Sequence, residues 1–132
     1  MSRVVGLDYG ERRCGCAVSD PSGTLATPLG VIDDPGSEQG LRRLAELVAE
    51  QEADAVVVGL PVTLAGEEGA QAAETKAFVR RLRDVVDVPV ETYDERFTTK
   101  LAKQGPVPGR APEHSRAAAH LLTDYLRAFK RG

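Results

Sequence analysis

The chain has 132 residues, of which 42% are hydrophobic and 28% charged, enough for one domain around one core. It has no apolar run of roughly 18 residues and no charged segment leading into an apolar one at its start. We therefore expect neither a membrane span nor a secretory signal.

The charge distribution says more than the net charge of −3, which by itself argues against a nucleic-acid-binding protein. Residues 1–95 carry 9 Lys and Arg against 18 Asp and Glu, whereas residues 96–132 carry 8 against 2. A basic quarter beside an acidic body often marks a contact with a polyanion. A solvated helix with a positive tail explains it equally well.

The first predicted element is a β-hairpin. Two apolar runs, Val4–Leu7 and Cys14–Val18, flank a turn of glycine and charged residues. Asp8 ends the first run, and alternation along the strand places it on the same face as Gly6. A carboxylate there is costly if unpaired, so we expect a metal ion, a basic partner or a phosphate-bearing ligand to hold it. The sequence therefore predicts chemistry at Asp8.

The two cysteines lie in the second strand of this hairpin. Cys14 and Cys16 share one face of the strand and are poorly placed for a disulfide with each other. We interpret them as buried thiols of a protein in a reducing cytosol.

In the middle of the chain, the sequence pattern predicts two more strands and a helix. Thr24–Asp33 reads as a strand, and Pro28 within it suits a sheet edge. Ala55–Leu60 is a continuous apolar run typical of a central parallel strand covered on both faces. Between them lies a helix with one apolar stripe, formed by Leu41, Leu44, Ala45 and Val48.

The last third of the chain predicts two helices and a strand. The first of these helices carries Phe78, Leu82 and Val85 on one side. A strand at Val88–Tyr93 follows, and then a Gly/Pro-rich segment at residues 104–112. The last helix begins near Pro112. Its predicted buried residues are Ala118, Leu121, Leu122, Tyr125 and Phe129.

The predicted order β-β-β-α-β-α-β-α has no repeat and no domain boundary, so residues 1–132 form one α/β domain. A hairpin joined to two parallel strands through right-handed crossovers gives a mixed five-stranded sheet flanked by helices.

Four segments carry a family resemblance. They are Leu7–Gly10 with the residues up to Asp20, Val57–Pro61 with Gly66 and Gly69, Asp94–Thr99, and Ser115–Ala118 with Leu122–Leu126. In this order they resemble the YqgF family, also called RuvX, relatives of the RuvC Holliday-junction resolvases. The resemblance implies a ribonuclease H-like fold and a cytoplasmic, metal-dependent nuclease that matures the 5′ end of pre-16S rRNA.

The resemblance also implies a set of acidic metal ligands. Phosphodiester cleavage builds negative charge on oxygen, which divalent cations stabilise, and Mg²⁺ or Mn²⁺ takes carboxylate oxygens. Asp8 and Glu95 are the expected catalytic ligands. Asp94 replaces Glu95 if the strand register slips by one residue. Arg96 either clamps a phosphate or forms a structural ion pair with a neighbouring aspartate.

The third ligand position departs from the family. His114 stands where the family has an aspartate, and its spacing from Ala118, Leu121 and Tyr125 predicts that it faces inward. Imidazole ligates Mn²⁺ but is a poor ligand for Mg²⁺. Either His114 is a ligand or general acid/base and Mn²⁺ is preferred, or the site is weakened. Glu113 is the fallback ligand, although the helix dipole also explains it.

We expect the substrate to contact the basic quarter of the chain. Thr98 and Thr99 either bond phosphate oxygens or cap a helix. The expected nucleic-acid-binding residues are Arg96, Thr98, Thr99, Lys100, Lys103, Arg110 and Arg116.

Three alternatives to an rRNA nuclease remain. A Holliday-junction resolvase needs two active sites about a two-fold axis. A binding protein with a decayed site would bind nucleic acid without cutting it. An actin-like phosphotransferase needs a second domain, for which the chain has no room. An RNA precursor is the favoured partner, branched DNA is the second choice, and the chain is expected to be a monomer or homodimer that does not engage membranes.

Overall fold

The structure is a computed structural model that describes residues 3–61, 69–94 and 113–129. The element order is the predicted β-β-β-α-β-α-β-α. The strands are β1 (Val4–Asp8), β2 (Arg13–Ser19), β3 (Ala26–Asp33), β4 (Ala55–Leu60) and β5 (Val90–Asp94). The helices are α1 (Glu38–Glu50), α2 (Ala70–Arg83) and α3 (Glu113–Phe129). Across these three ranges, no helix is long and apolar enough to cross a membrane.

The five strands form one mixed sheet in the order β3-β2-β1-β4-β5. The hairpin strands β1, β2 and β3 pair antiparallel, and β4 and β5 continue the sheet parallel to β1. The predicted mixed sheet is confirmed, and so is the edge position of the strand that contains Pro28. Strand β1 is central, so both of its faces need a cover.

Two hydrophobic cores cover the two faces of the sheet. Helices α1 and α2 pack on one face, where Leu7 and Leu44 are fully buried. Among the described residues, α3 is the helix that packs on the other face, where Val57 and Leu122 are fully buried. A Cβ added to Gly6 would lie 2.9 Å from the Leu122 Cβ. The glycine in β1 therefore lets α3 lie directly on the central strand.

Local chemistry fixes the ends of the helices. The Ser37 hydroxyl caps α1 by accepting a hydrogen bond from the Gly40 amide at 2.9 Å. The Arg83 side chain donates to the Val90 carbonyl at 2.7 Å and 3.1 Å, which ties the end of α2 to β5.

Some predicted details were wrong. Val85 lies beyond the end of α2 and is 44% exposed, because the helix ends at Arg83. The last strand begins at Val90, two residues later than expected, because Pro89 precedes it and lacks a ladder donor. Tyr125 is only partly buried, since its hydroxyl donates to the exposed Glu91 carboxylate at 2.9 Å.

Candidate active site

Asp8 ends the central strand β1 and is half-buried. The side chains of its two sequence neighbours are packed against the rest of the protein. Leu7 is fully buried, and the Tyr9 ring stacks on Phe78 with a centroid distance of 4.3 Å. Alternation from Gly6, which faces Leu122, places the Asp8 side chain on the α3 face of the sheet. Asp8 is therefore a carboxylate held at a set position at one edge of the α3 face.

The first turn of α3 lies beside Asp8 because of a glycine. Gly15 is the register partner of Asp8 in the β1–β2 hairpin. A Cβ on Gly15 would overlap the carbonyl oxygen of His114, so the helix backbone rests directly on the strand. Glycine is the residue type that permits this approach. The structure thus brings the start of α3 to the strand position opposite Asp8.

The prediction that the His114 side chain faces inward is wrong, because that side chain is exposed. Ser115 takes the buried position instead, with no exposed surface. The buried stripe of α3 runs through Ser115, Ala118, Leu122 and Leu126 at helical spacing. The stripe includes a polar residue, so a pattern of apolar residues alone placed its first member one residue too early. Whether His114 binds a metal stays a prediction.

Asp94 ends β5 at the same end of the sheet at which Asp8 ends β1, and one strand, β4, lies between them. Its neighbour Tyr93 belongs to the core under α3, so alternation places Asp94 on the opposite face. The Asp94 side chain therefore does not share a face with Asp8. Glu95 lies outside the described residues, so its role as the second acidic ligand stays a prediction.

Arg116 lies within the described residues and is exposed on the first turns of α3. The other expected substrate and metal residues fall outside the described residues: Glu95, Arg96, Thr98, Thr99, Lys100, Lys103 and Arg110, together with the side chain of Glu113.

In the part of the chain that the structure describes, no group of three or more His, Cys, Asp or Glu side chains is placed to hold a metal ion. Asp8 offers the hard oxygen donor that Mg²⁺ and Mn²⁺ prefer. A complete metal site thus needs ligands beyond the described residues or from the substrate.

Two titratable groups near Asp8 have raised pKa values. Burial, followed by the carboxylates of Glu74 and Glu11, raises the pKa of Tyr9. A hydrogen bond with Cys16, followed by burial, raises the pKa of Cys14 well above its usual value. Both cysteines are buried free thiols, which confirms their interpretation as core residues.

Sequence reasoning missed three buried polar residues of α3, which are Ser115, His120 and Asp124. Ser115 shares a helical stripe with Ala118 and Leu122, and that spacing was a signal that could have found it. No comparable pattern marked the other two.

A family model described as "RuvX: Holliday junction resolvase" matches residues 2–128. The chain belongs to the RuvX family. It is 43% identical to a protein of Chloroflexus aggregans named "Putative pre-16S rRNA nuclease", over 95% of this chain and 93% of that protein. A protein of the same name from a Roseiflexus species is 40% identical, over 94% and 93% of the two chains.

Solved structures support the ribonuclease H-like fold. The structure of T. thermophilus RuvC in complex with a Holliday junction substrate superposes on this chain with a TM-score of 0.69. The sequence identity is 17%, and the match covers 99% of this chain and 97% of that one. Membership of the RuvX family supports a nuclease, a hydrolase that acts on nucleic acid.

Proposed function

We propose that this chain is a divalent-metal-dependent nuclease of the bacterial cytoplasm that processes the 5′ end of pre-16S rRNA. The observation that carries the proposal is the position of Asp8, a carboxylate at the end of the central strand beside the first turn of α3. The names of the relatives from Chloroflexus aggregans and Roseiflexus support the choice of substrate.

Asp8 supplies a hard oxygen donor of the kind that Mg²⁺ or Mn²⁺ prefers, and the proposed site takes its other ligands from His114 and from residues outside the described ranges. Asp8 is the first ligand in this proposal, Glu95 the second and His114 the third, with Glu113 as the fallback. When bound, the cation would stabilise the charge that develops on the phosphate oxygens and lower the pKa of an attacking water. Asp8 would hold and orient the cation from the rigid end of β1.

His114 is the proposed ligand that departs from the family, which has an aspartate at this position. Its exposed side chain projects from the helix turn that rests on the strand partner of Asp8. Because imidazole suits Mn²⁺ better than Mg²⁺, we propose that the enzyme prefers Mn²⁺. As an alternative role, His114 transfers a proton to or from the reacting oxygen.

The substrate in this proposal is an RNA strand bound through its phosphates. Arg116 is an exposed cation on the same helix as His114, and in this proposal it contacts a phosphate of the bound strand. The remaining proposed contacts are Arg96, Thr98, Thr99, Lys100, Lys103 and Arg110.

A Holliday-junction resolvase is the second candidate, favoured by the description of the matching family model. That activity needs two active sites related by a two-fold axis, so it requires a homodimer, whereas RNA trimming does not. The mass of the protein in solution, alone and with a junction, separates the two expectations.

The proposal is tested by incubating an RNA with a 5′ precursor extension, and a four-way DNA junction, with Mg²⁺, Mn²⁺ or chelator. The variants are Asp8→Asn, His114→Ala and His114→Asp, with Glu46→Gln as a matched control. Glu46 is an exposed carboxylate on α1, on the other face of the sheet.

We expect RNA cleavage that needs Mn²⁺, vanishes in chelator and in Asp8→Asn, and is unchanged in Glu46→Gln. His114→Asp should shift the preference towards Mg²⁺, since it restores the family's aspartate. Preferential cutting of the junction by a dimer would support the resolvase. Binding of both substrates without cleavage would contradict the nuclease proposal.

A further inference from the structure

A serine at the start of α3 makes hydrogen bonds that reach across the molecule. The Ser115 hydroxyl donates to the carbonyl of Cys16 at 2.9 Å and accepts from the amide of Gly30 at 2.8 Å. Ser115 has no exposed surface. The hydroxyl thus bonds one strand through its proton and another through a lone pair, and both strands lie far from Ser115 in sequence.

The two groups that Ser115 joins are opposite each other in the sheet. Cys16 of β2 and Gly30 of β3 are register partners, and the pairing slips by one residue immediately beyond them, where Ala17 faces Pro28. Gly30 has a φ of 108°, a backbone conformation that suits glycine. The Ser115 hydroxyl therefore completes the hydrogen bonding at a β-bulge between β2 and β3.

This contact lies one residue from the helix turn beside Asp8. The carbonyl of His114 rests on Gly15, and Gly15 is the strand partner of Asp8. Ser115 therefore fixes the first turn of α3 to the same strand that pairs with the Asp8 strand. Two contacts to neighbouring residues of β2, one steric and one hydrogen-bonded, leave the turn little freedom to slide or rotate.

We propose that Ser115 is a positioning residue for the active site: its two hydrogen bonds to the β2–β3 bulge set where His114 stands relative to Asp8. Ser115 lies on the buried side of α3 with no exposed surface, so it acts on the site through the position of the helix turn. The inference rests on the proposed nuclease function, because it assigns Ser115 a part in the same site. Without the hydroxyl, the first turn of α3 can shift on β2 and carry His114 with it. A small displacement of a catalytic group has a large effect on rate.

The test compares Ser115→Ala and Ser115→Thr with the wild-type protein in single-turnover and steady-state cleavage of the precursor RNA. Thr123→Val is the matched control, because its hydroxyl donates at 2.8 Å to Ala119 of its own helix and reaches no strand. RNA affinity is measured separately in chelator. All assays run well below the thermal midpoint of each variant.

We expect Ser115→Ala to lower kcat by about 10- to 100-fold. KM and RNA affinity should change by less than about threefold, since the substrate contacts remain. Ser115→Thr keeps the hydroxyl and should recover most of the rate, and Thr123→Val should match the wild type. If Ser115→Ala does not fold, Ser115→Cys replaces it: sulfur fills the site but bonds weakly, so the same loss of kcat is expected.

Two results would overturn the inference while the nuclease stands. One is wild-type kcat in Ser115→Ala. The other is a parallel fall of kcat and RNA affinity that Ser115→Thr does not reverse, which is the behaviour of a general packing defect. A wild-type protein that cleaves no substrate would instead overturn the proposed function, and the role of Ser115 with it.

Discussion

Gly15 lies against the backbone carbonyl of His114 so closely that any side chain at this position would overlap the oxygen. One of these residues is in the second strand and the other in the first turn of the last helix. Their contact is made by backbone on both sides, so the geometry beside Asp8 depends on the absence of a side chain.

Gly15→Ala should destabilise the protein by about 1–3 kcal/mol. The added methyl would clash with the His114 carbonyl, and the clash is relieved only by moving α3 away from β2. Gly36→Ala is the matched control, since the nearest atom to its new methyl would be an Arg81 nitrogen at an ordinary 3.6 Å. Urea unfolding of the three proteins measures the difference. Equal stability of the two variants would contradict the close approach.

Leu122→Ala should cost about 2–5 kcal/mol, because Leu122 is fully buried between α3 and β1 and its loss leaves a cavity. Leu25→Ala removes the same atoms from a side chain that is 66% exposed, and it should change stability by less than about 0.5 kcal/mol. Thermal unfolding of both variants provides the comparison. Similar midpoints would show that α3 is not packed on the sheet as described.

The sheet was predictable from the sequence because its signals are local. The continuous apolar run of β4 indicates a strand covered on both faces, and Pro28 indicates an edge. The phase of α3 was not predictable in the same way. It depends on a polar residue, Ser115, whose partners Cys16 and Gly30 are 99 and 85 residues away. Apolar periodicity carries no information about such a contact, so His114 was assigned to the wrong face.

The candidate site was predictable only in part, for the same reason. Asp8 follows from a strand pattern that ends in a carboxylate. The closeness of His114 to the Asp8 strand depends on Gly15, and one glycine within a strand does not reveal which backbone approaches it.

The two thiols should be unreactive in the folded protein. Cys14 and Cys16 are buried, and the raised pKa of Cys14 keeps that thiol protonated at neutral pH, whereas the thiolate is the nucleophile. With Ellman's reagent at pH 8, the native protein should give no measurable coloured nitrothiobenzoate product. In guanidinium chloride the same protein should give two equivalents, one for each thiol. Rapid release from the native protein would contradict the burial of β2.

Acid should weaken the turn between β2 and β3. A hydrogen bond from Ser22, followed by bonds from the Leu25 and Thr24 amides, lowers the pKa of Asp20 to about 2. Because the folded pKa lies below the unfolded value of about 3.9, Asp20 stabilises the fold above that value. The stabilisation disappears as the pH falls towards 2.

Urea unfolding of the wild type and Asp20→Asn between pH 6 and pH 2 measures this effect. The wild type should be the more stable protein at pH 6, and the difference should shrink as the pH drops below 4. A constant difference over this range would count against the hydrogen-bonded carboxylate.

Arg116→Ala should weaken RNA binding and reduce the slope of log K against log salt by about one, the value for one lost phosphate contact. Arg42→Ala is the control, because Arg42 is exposed on α1, on the opposite face of the sheet. Fluorescence anisotropy across a salt series measures both slopes. If the two variants behave alike, Arg116 does not contact the substrate backbone.

The bulge closed by Ser115 has a consequence for the growing polypeptide. While the chain leaves the ribosome, β1 to β5 emerge before α3, so the Gly30 amide has no Ser115 to accept its hydrogen bond and one face of the sheet still lacks α3. The strands can pair, but the fold closes only when residues 113–129 have been made. Premature termination within those residues would yield an open, aggregation-prone sheet rather than a smaller folded protein.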